Sequence, residues 1–187
     1  YWGVSGFNSS NVNNTSNGFM LPVATVITCG TGSFGSEEAL IESFIRAGTS
    51  SNPKGSVACI GTATLGTHTM FNNIVDMGFY YGALVEGIES AGAALMYGKM
   101  MLYKNYPTNP SNYCHIFSHW NNLMGESSLS MWSAYPEQIT VDHPYALSQG
   151  TNYLDITVAK ASGALEEAWV TILMDDEIFE SGYTNAN

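Results

Sequence analysis

Apolar positions in the first third of the chain form two short runs separated by a stretch with helical spacing. Val23-Ala-Thr-Val-Ile-Thr28 and Gly55-Ser-Val-Ala-Cys-Ile-Gly61 are nearly continuous in apolar and β-branched residues. That is the pattern of strands buried on both faces, as in parallel sheets. Between them Leu40, Ile41, Phe44 and Ile45 recur on one helical face. Ser36 is the expected N-cap, Glu37 and Glu38 fall in the first turn, and Gly48 is the expected C′ stop. Strand, helix and strand at this length predict a βαβ unit with its two strands parallel.

The remainder divides by pattern. Residues 1–22 are rich in Asn, Ser and Gly, including Phe7-Asn-Ser-Ser-Asn-Val-Asn-Asn-Thr-Ser-Asn17, and predict turns with at most a short helix. A loop over Thr62–Thr69 leads into a long helical region, roughly Phe71–Tyr103, with Leu84, Ile88, Leu95 and Met96 on its apolar face. Glycines at 78, 82, 87, 92 and 98 weaken it as one unbroken helix. His115–Trp132 reads as a last short helix or an irregular cover. After Pro136 the pattern changes to alternation in Gln138–Val141, Tyr153–Val158 and Ala168–Leu173. This predicts half-wet antiparallel strands, about four of the roughly seven that a sandwich needs. The expected division is 1–134 and 135–187.

Charge narrows the partners. Five Lys and Arg stand against sixteen Asp and Glu in 187 residues, a net charge of −11. Such a surface repels nucleic acid and anionic membranes, and neither is expected as a partner. Only 11% of residues are charged, with 45% apolar, so a packed core is affordable and the polar surface is largely uncharged. Acid-rich solubility of this kind suits an exported protein. The three cysteines, at 29, 59 and 114, form no paired spacing, which argues against a disulfide framework or a Cys-based zinc site. No segment reads as a signal peptide or a bilayer span. The opening Tyr1-Trp2-Gly3, without Met, reads as the interior of a longer precursor.

Cys29 carries the chemistry. It ends the first apolar run and opens Gly30-Thr-Gly-Ser-Phe-Gly35, ahead of the predicted helix. In open α/β sheets, ligands and reactions gather at the carboxyl ends of strands. Backbone N–H groups and a nearby helix start would favour a thiolate there. A nucleophile and a packed thiol are both compatible with this position, whereas Cys59, inside an apolar strand, reads as packing. The loop also spells G-x-G-x-x-G, but the second strand ends Ala58-Cys-Ile-Gly-Thr-Ala63 with no acid to hold a ribose, which disfavours a dinucleotide site.

The register from Trp2 to Cys29, the segment Val26-Ile-Thr-Cys29-Gly-Thr-Gly-Ser-Phe34, the strand Ser56–Ile60 with Gly61-Thr62-Ala63, and His119-Trp-Asn-Asn-Leu-Met-Gly-Glu-Ser-Ser-Leu-Ser-Met-Trp132 together resemble the gingipain-like cysteine endopeptidases. The resemblance implies an α/β fold with a caspase-like parallel sheet flanked by helices. It further implies that part of an immunoglobulin-like β-sandwich follows. It makes Cys29 the nucleophile toward a peptide carbonyl, with the Cys29 N–H and the Gly30 loop at the oxyanion. Thr62, Ala63, Thr64 and His68 would border the primary substrate pocket, His68 aligning where arginine-cleaving members place a Trp. With no carboxylate nearby, Arg or Lys preference is not expected. The catalytic His of that family stands in a His-Gly pair upstream of Tyr1, and none of His68, His115, His119 or His143 matches it.

The expected function is therefore that of a secreted cysteine endopeptidase fragment acting on protein or peptide substrates. An upstream fragment, or another copy of the chain, would supply the imidazole. The alternative is a non-catalytic assembly protein that reuses the same parts, because an unfinished sandwich offers unpaired strand edges. No cofactor is firmly implied. Asn8–Asn17 and Asp175-Asp-Glu177 offer oxygen ligands of the kind calcium takes, and the resemblance also points to calcium, yet D-x-D-x-D-G spacing is lacking.

Overall fold

The first apolar run becomes a strand, but a shorter one than its composition suggests. In the computed structural model, which describes residues 6–35 and 37–185, the chain divides into two compact units, Tyr1–Ser133 and Ala134–Asn187. The first unit runs α1 (Ser9–Asn13), β1 (Val23–Val26), α2 (Leu40–Arg46) and a small hairpin of β2 (Gly48–Thr49) and β3 (Asn52–Pro53). It continues with β4 (Ala58–Thr62), α3 (Thr69–Leu84), α4 (Ala91–Asn105), a 3-10 turn at Pro110–Asn112, α5 (Tyr113–Trp120) and β5 (Asn121–Met124).

The predicted βαβ unit is present. β1 pairs parallel with β4 in the register Val23↔Ala58 to Val26↔Gly61, and α2 connects them. β5 closes the other side of β4, antiparallel, from Cys59↔Met124 to Thr62↔Asn121, so the sheet order is β1-β4-β5. β4 is buried throughout. Its alternating side chains serve two cores: Cys59 packs with Ala39 and Ile41 of the α2 side, while Ile60 packs with Phe71, Val75, Phe79, Leu102 and Phe117 from α3, α4 and α5. Helices thus cover both faces, which is why the run reads apolar at nearly every position.

Several boundaries differ from the sequence reading. β1 stops at Val26 because the Thr28 N–H folds back onto the Val26 carbonyl at 2.9 Å. α2 begins at Leu40, and the acid of its first turn is Glu42, whose carboxylate accepts the Ala39 N–H at 2.7 Å. The expected cap, Ser36, lies outside the described residues. Gly48 does sit at C′, with φ +80°. In the Asn-rich segment, Asn8 caps α1, its side chain accepting from the Ser10 and Asn11 N–H groups while Asn11 accepts from the Asn8 N–H.

The long helical region is two helices. The chain reverses between Leu84 and Ala91, with Gly87 at φ +69° and the Ser90 hydroxyl capping α4 through the Ala93 N–H at 3.1 Å. Gly78 and Gly98 lie where α3 crosses α4: a Cβ on Gly98 would strike the Val75 carbonyl, and one on Gly82 would stand 3.1 Å from the Tyr97 ring. These glycines let two helices approach closely.

His115–Trp132 holds more order than an irregular cover. It contains most of α5 and the strand β5, whose Asn-Asn-Leu-Met sequence lacks β-branched residues. Asn121 is fully buried in a polar network. It donates to the Phe117 carbonyl at 2.9 Å and to Asn72 Oδ1 at 3.4 Å, and it accepts from the Thr62 hydroxyl at 3.2 Å.

The second unit holds β6 (Ile139–Asp142), β7 (Thr157–Lys160), β8 (Gly163–Ala164), β9 (Trp169–Met174) and β10 (Glu177–Tyr183). β6, β7 and β8 form one antiparallel sheet, and β9 pairs with β10 in a hairpin. The hairpin turns on Asp175 and Asp176, both at positive φ (54° and 64°), the geometry of a two-residue primed turn. β10 extends the three strands read from the sequence. The alternation does not yield a buried face here, since Val158 is the single buried residue of this unit among those described. No helix of the described chain is long and apolar enough to cross a membrane.

Candidate active site

The loop after β1 is held against the loop after β4 by backbone bonds that only small residues permit. The Gly30 N–H donates to the Thr64 carbonyl at 2.8 Å and the Gly32 N–H to the Thr62 carbonyl at 3.0 Å. Gly30 takes φ +74°. A Cβ on Gly32 would stand 2.9 Å from the Gly61 carbonyl carbon, and one on Gly61 2.5 Å from Ile41 Cγ2. The Thr31 hydroxyl adds a side-chain tie, donating to the Thr28 carbonyl at 2.9 Å and accepting from the Thr62 N–H at 3.2 Å. The Thr31 carbonyl accepts the Ile41 N–H at 3.1 Å, which anchors the start of α2 to the same loop.

This frame puts Cys29 at the carboxyl end of the parallel pair with its side chain exposed. Its sulfur lies 2.7 Å from the Thr67 hydroxyl. Cys59 and Cys114 are fully buried. Burial pushes the Cys59 thiol up to about 12, with the Ile60 backbone and the Ser56 side chain opposing only weakly, and burial also raises Cys114. Those two are therefore packing thiols that hold their protons at neutral pH. Two cavities, of about 370 Å³ within the second unit and about 620 Å³ beside Val23, Val57 and Phe79, do not include Cys29.

The remaining site residues divide by which part of them is used. The Gly30 N–H is taken by the Thr64 carbonyl and points into the loop frame. The Thr62 side chain is fully buried and bonded to Asn121, so it lines no substrate surface. Thr62, Ala63 and Thr64 act through backbone: Thr62 and Thr64 accept from the glycine loop, and the Ala63 N–H donates to the Trp120 carbonyl at 2.9 Å. His68 is exposed and caps α3, its Nδ1 accepting from the Met70 N–H at 3.2 Å. His115 and His119 meet each other on α5, ring centroids 4.5 Å apart, and His143 lies in the second unit. No group of three or more His, Cys, Asp or Glu able to hold a metal occurs among the described residues. Thr67, which meets the sulfur, is the residue that the sequence reading passed over. Its separation from Cys29, 38 positions, gives no local signal.

Comparison with known proteins identifies the family and the fold. The model of peptidase family C25 matches residues 1–132. The fold is similar to that of gingipain R, an Arg-specific cysteine proteinase, with a TM-score of 0.76 at 19% identity over 99% of this chain and 42% of that one. The complex of Porphyromonas gingivalis RgpB pro- and mature domains gives a TM-score of 0.71 at 17% identity, covering 99% and 43%. A further protease structure gives 0.65 at 18%, covering 96% and 42%. The chain thus spans less than half the length of the structures it matches. No curated protein sequence matches it.

Proposed function

The chain belongs to peptidase family C25, and on that premise we propose that it is the Cys29-bearing part of a secreted cysteine endopeptidase acting on protein or peptide substrates. The observation that carries this reading is the exposed Cys29 sulfur at the carboxyl end of a parallel strand, in a loop tied by Gly30 and Gly32 to the loop after β4. A buried thiol would offer no reaction surface.

The chemistry follows from those positions. The thiolate attacks the scissile carbonyl carbon; a C–S bond forms and the carbonyl π pair moves to oxygen. The Cys29 N–H is placed to meet that oxyanion. As the C–N bond breaks, the leaving amine takes a proton from an imidazolium, and water then hydrolyses the thioester. In our reading the imidazole is none of the four histidines of this chain, because none stands in the His-Gly pair that the family resemblance requires. It is supplied from outside these residues.

The Thr67 hydroxyl meets the sulfur, and the exposed Leu65 lies against Gly30. The loop from Thr62 to Met70 carries no carboxylate to pair with a cationic substrate side chain, so strict cleavage after Arg is not expected. The two antiparallel sheets of residues 135–187 are read as the start of an immunoglobulin-like sandwich.

The test uses the full-length protein as its gene encodes it, assayed on a peptide library. Hydrolysis that falls at least a thousandfold on Cys29→Ala is the expected result. Hydrolysis that survives this substitution, or strict cleavage after Arg, overturns the corresponding part of the reading.

A further inference from the structure

Thr67 lies in the loop after β4 but is given no role by the family resemblance, yet its hydroxyl is a side-chain group that meets the Cys29 sulfur, at 2.7 Å. The loop that carries it is held at both ends. Upstream, the Thr62 and Thr64 carbonyls accept the Gly32 and Gly30 N–H groups, and the Thr64 hydroxyl accepts the Gly66 N–H at 3.3 Å. Downstream, His68 caps α3 with its ring, and its carbonyl accepts the Phe71 and Asn72 N–H groups. Thr67 is half-buried, and a β-branched side chain has few χ1 choices. The hydroxyl is therefore presented to the sulfur by a fixed frame.

We propose that Thr67 is a positioning residue for the Cys29 nucleophile, donating its hydroxyl proton to the thiolate and holding the sulfur in place at the mouth of the glycine loop. A thiolate has only lone pairs to offer, so in the charged state the hydroxyl must be the donor. A hydrogen bond to an ionised partner is roughly twice as strong as a neutral one, so it holds the charged sulfur firmly in one direction. The same bond lowers the energy of the attacking lone pair and tempers its reactivity. Thr67 thus exchanges some intrinsic nucleophilicity for a defined direction of attack. This inference rests on the peptidase reading for its purpose but not for its measurement.

Alkylation by iodoacetamide forms a C–S bond to Cys29 and expels iodide, and it needs no catalytic histidine. The rate of Cys29 labelling is followed by peptide mass mapping between pH 5 and 10 in the wild-type chain and in Thr67→Val, Thr67→Ala and Thr67→Ser. Circular dichroism confirms folding, and Thr67→Ala serves if the valine does not fit. Removing the hydroxyl frees the attacking lone pair, so at the high-pH end of the profile Thr67→Val and Thr67→Ala label about threefold faster than wild type. Thr67→Ser stays within about twofold of wild type. A role confined to loop structure would not produce a faster rate rescued by serine. Superimposable profiles for valine, alanine and wild type overturn the proposal. A faster, serine-rescued rate in a protein whose full-length form hydrolyses no peptide would leave Thr67's role standing and remove the peptidase reading instead.

Discussion

Gly78 and Gly98 face each other across the α3–α4 crossing so closely that a Cβ on Gly78 would stand 2.7 Å from the Gly98 Cα. Glycine inside a helix costs about 1 kcal/mol of intrinsic propensity relative to alanine. Here the close approach repays it, because Val75, Phe79, Leu95 and Leu102 on the same two helices belong to the main core. Each such apolar side chain contributes about 1.5–3 kcal/mol when fully buried.

Propensity and packing make opposite predictions for Gly98→Ala. Propensity alone gives a gain of up to about 1 kcal/mol. The added Cβ would meet the Val75 carbonyl and stand 2.9 Å from the Phe79 nitrogen, so the expected outcome is a loss of about 1–3 kcal/mol. Urea unfolding monitored by circular dichroism decides the sign.

The three thiols are expected to react in a fixed order. Cys29 is exposed, whereas Cys59 and Cys114 are buried and their protons are held by burial. At pH 7.5 under native conditions iodoacetamide should label Cys29 alone. Cys59 and Cys114 should follow only on addition of denaturant. Equal labelling of Cys59 and Cys29 in the folded chain would contradict the placement of both sulfurs.

Alkaline pH should weaken the fold through Cys59. Its thiol titrates near 9 in the unfolded chain and is pushed up to about 12 when folded. Between those values the unfolded state releases a proton that the folded state keeps, so stability falls as pH rises. The full effect is on the order of 4 kcal/mol. Cys59→Ala creates a small cavity and is less stable at pH 8, but its stability should decline less steeply from pH 8 to 11. Parallel declines in the two proteins would show that Cys59 is not the group responsible.

Asn121 ties the end of β4 to α3 and α5. Asn121→Leu leaves the Thr62 hydroxyl, the Phe117 carbonyl and Asn72 without that partner. A buried group stranded in this way costs about 1–3 kcal/mol. The expected loss is about 2–3 kcal/mol by urea unfolding, with Thr67 and the Cys29 loop disturbed because Thr62 leads into both. Unchanged stability would mean that the network carries little of the sheet's order.

Much of this was legible from periodicity. The two apolar runs, the helix between them and their parallel pairing follow from a rule that needs only neighbouring residues: a strand covered on both faces must be apolar at nearly every position. The alternation after Pro136 likewise marked strands, though it could not show how little of them is buried. Gly48 at a helix end reflects backbone conformation that one residue type accepts, and that is written locally too.

Other features existed only once the chain had closed on itself. Cys29 by itself was equally compatible with a packed thiol and a nucleophile, and its exposure depends on where the loop after β4 lies. Asn121 falls in a segment that reads as a short helix or an irregular cover until Asn72, Phe117 and Thr62 surround it. Gly78 and Gly98 read as helix breakers until their helices cross. Thr67 carried no signal at all, because the contact with Cys29 spans 38 positions. Sequence alone determined which segments could be strands and helices, since that choice is a balance of local periodicity and solvent. Which polar and small residues meet was decided by tertiary structure, because their energies depend on partners brought from far along the chain.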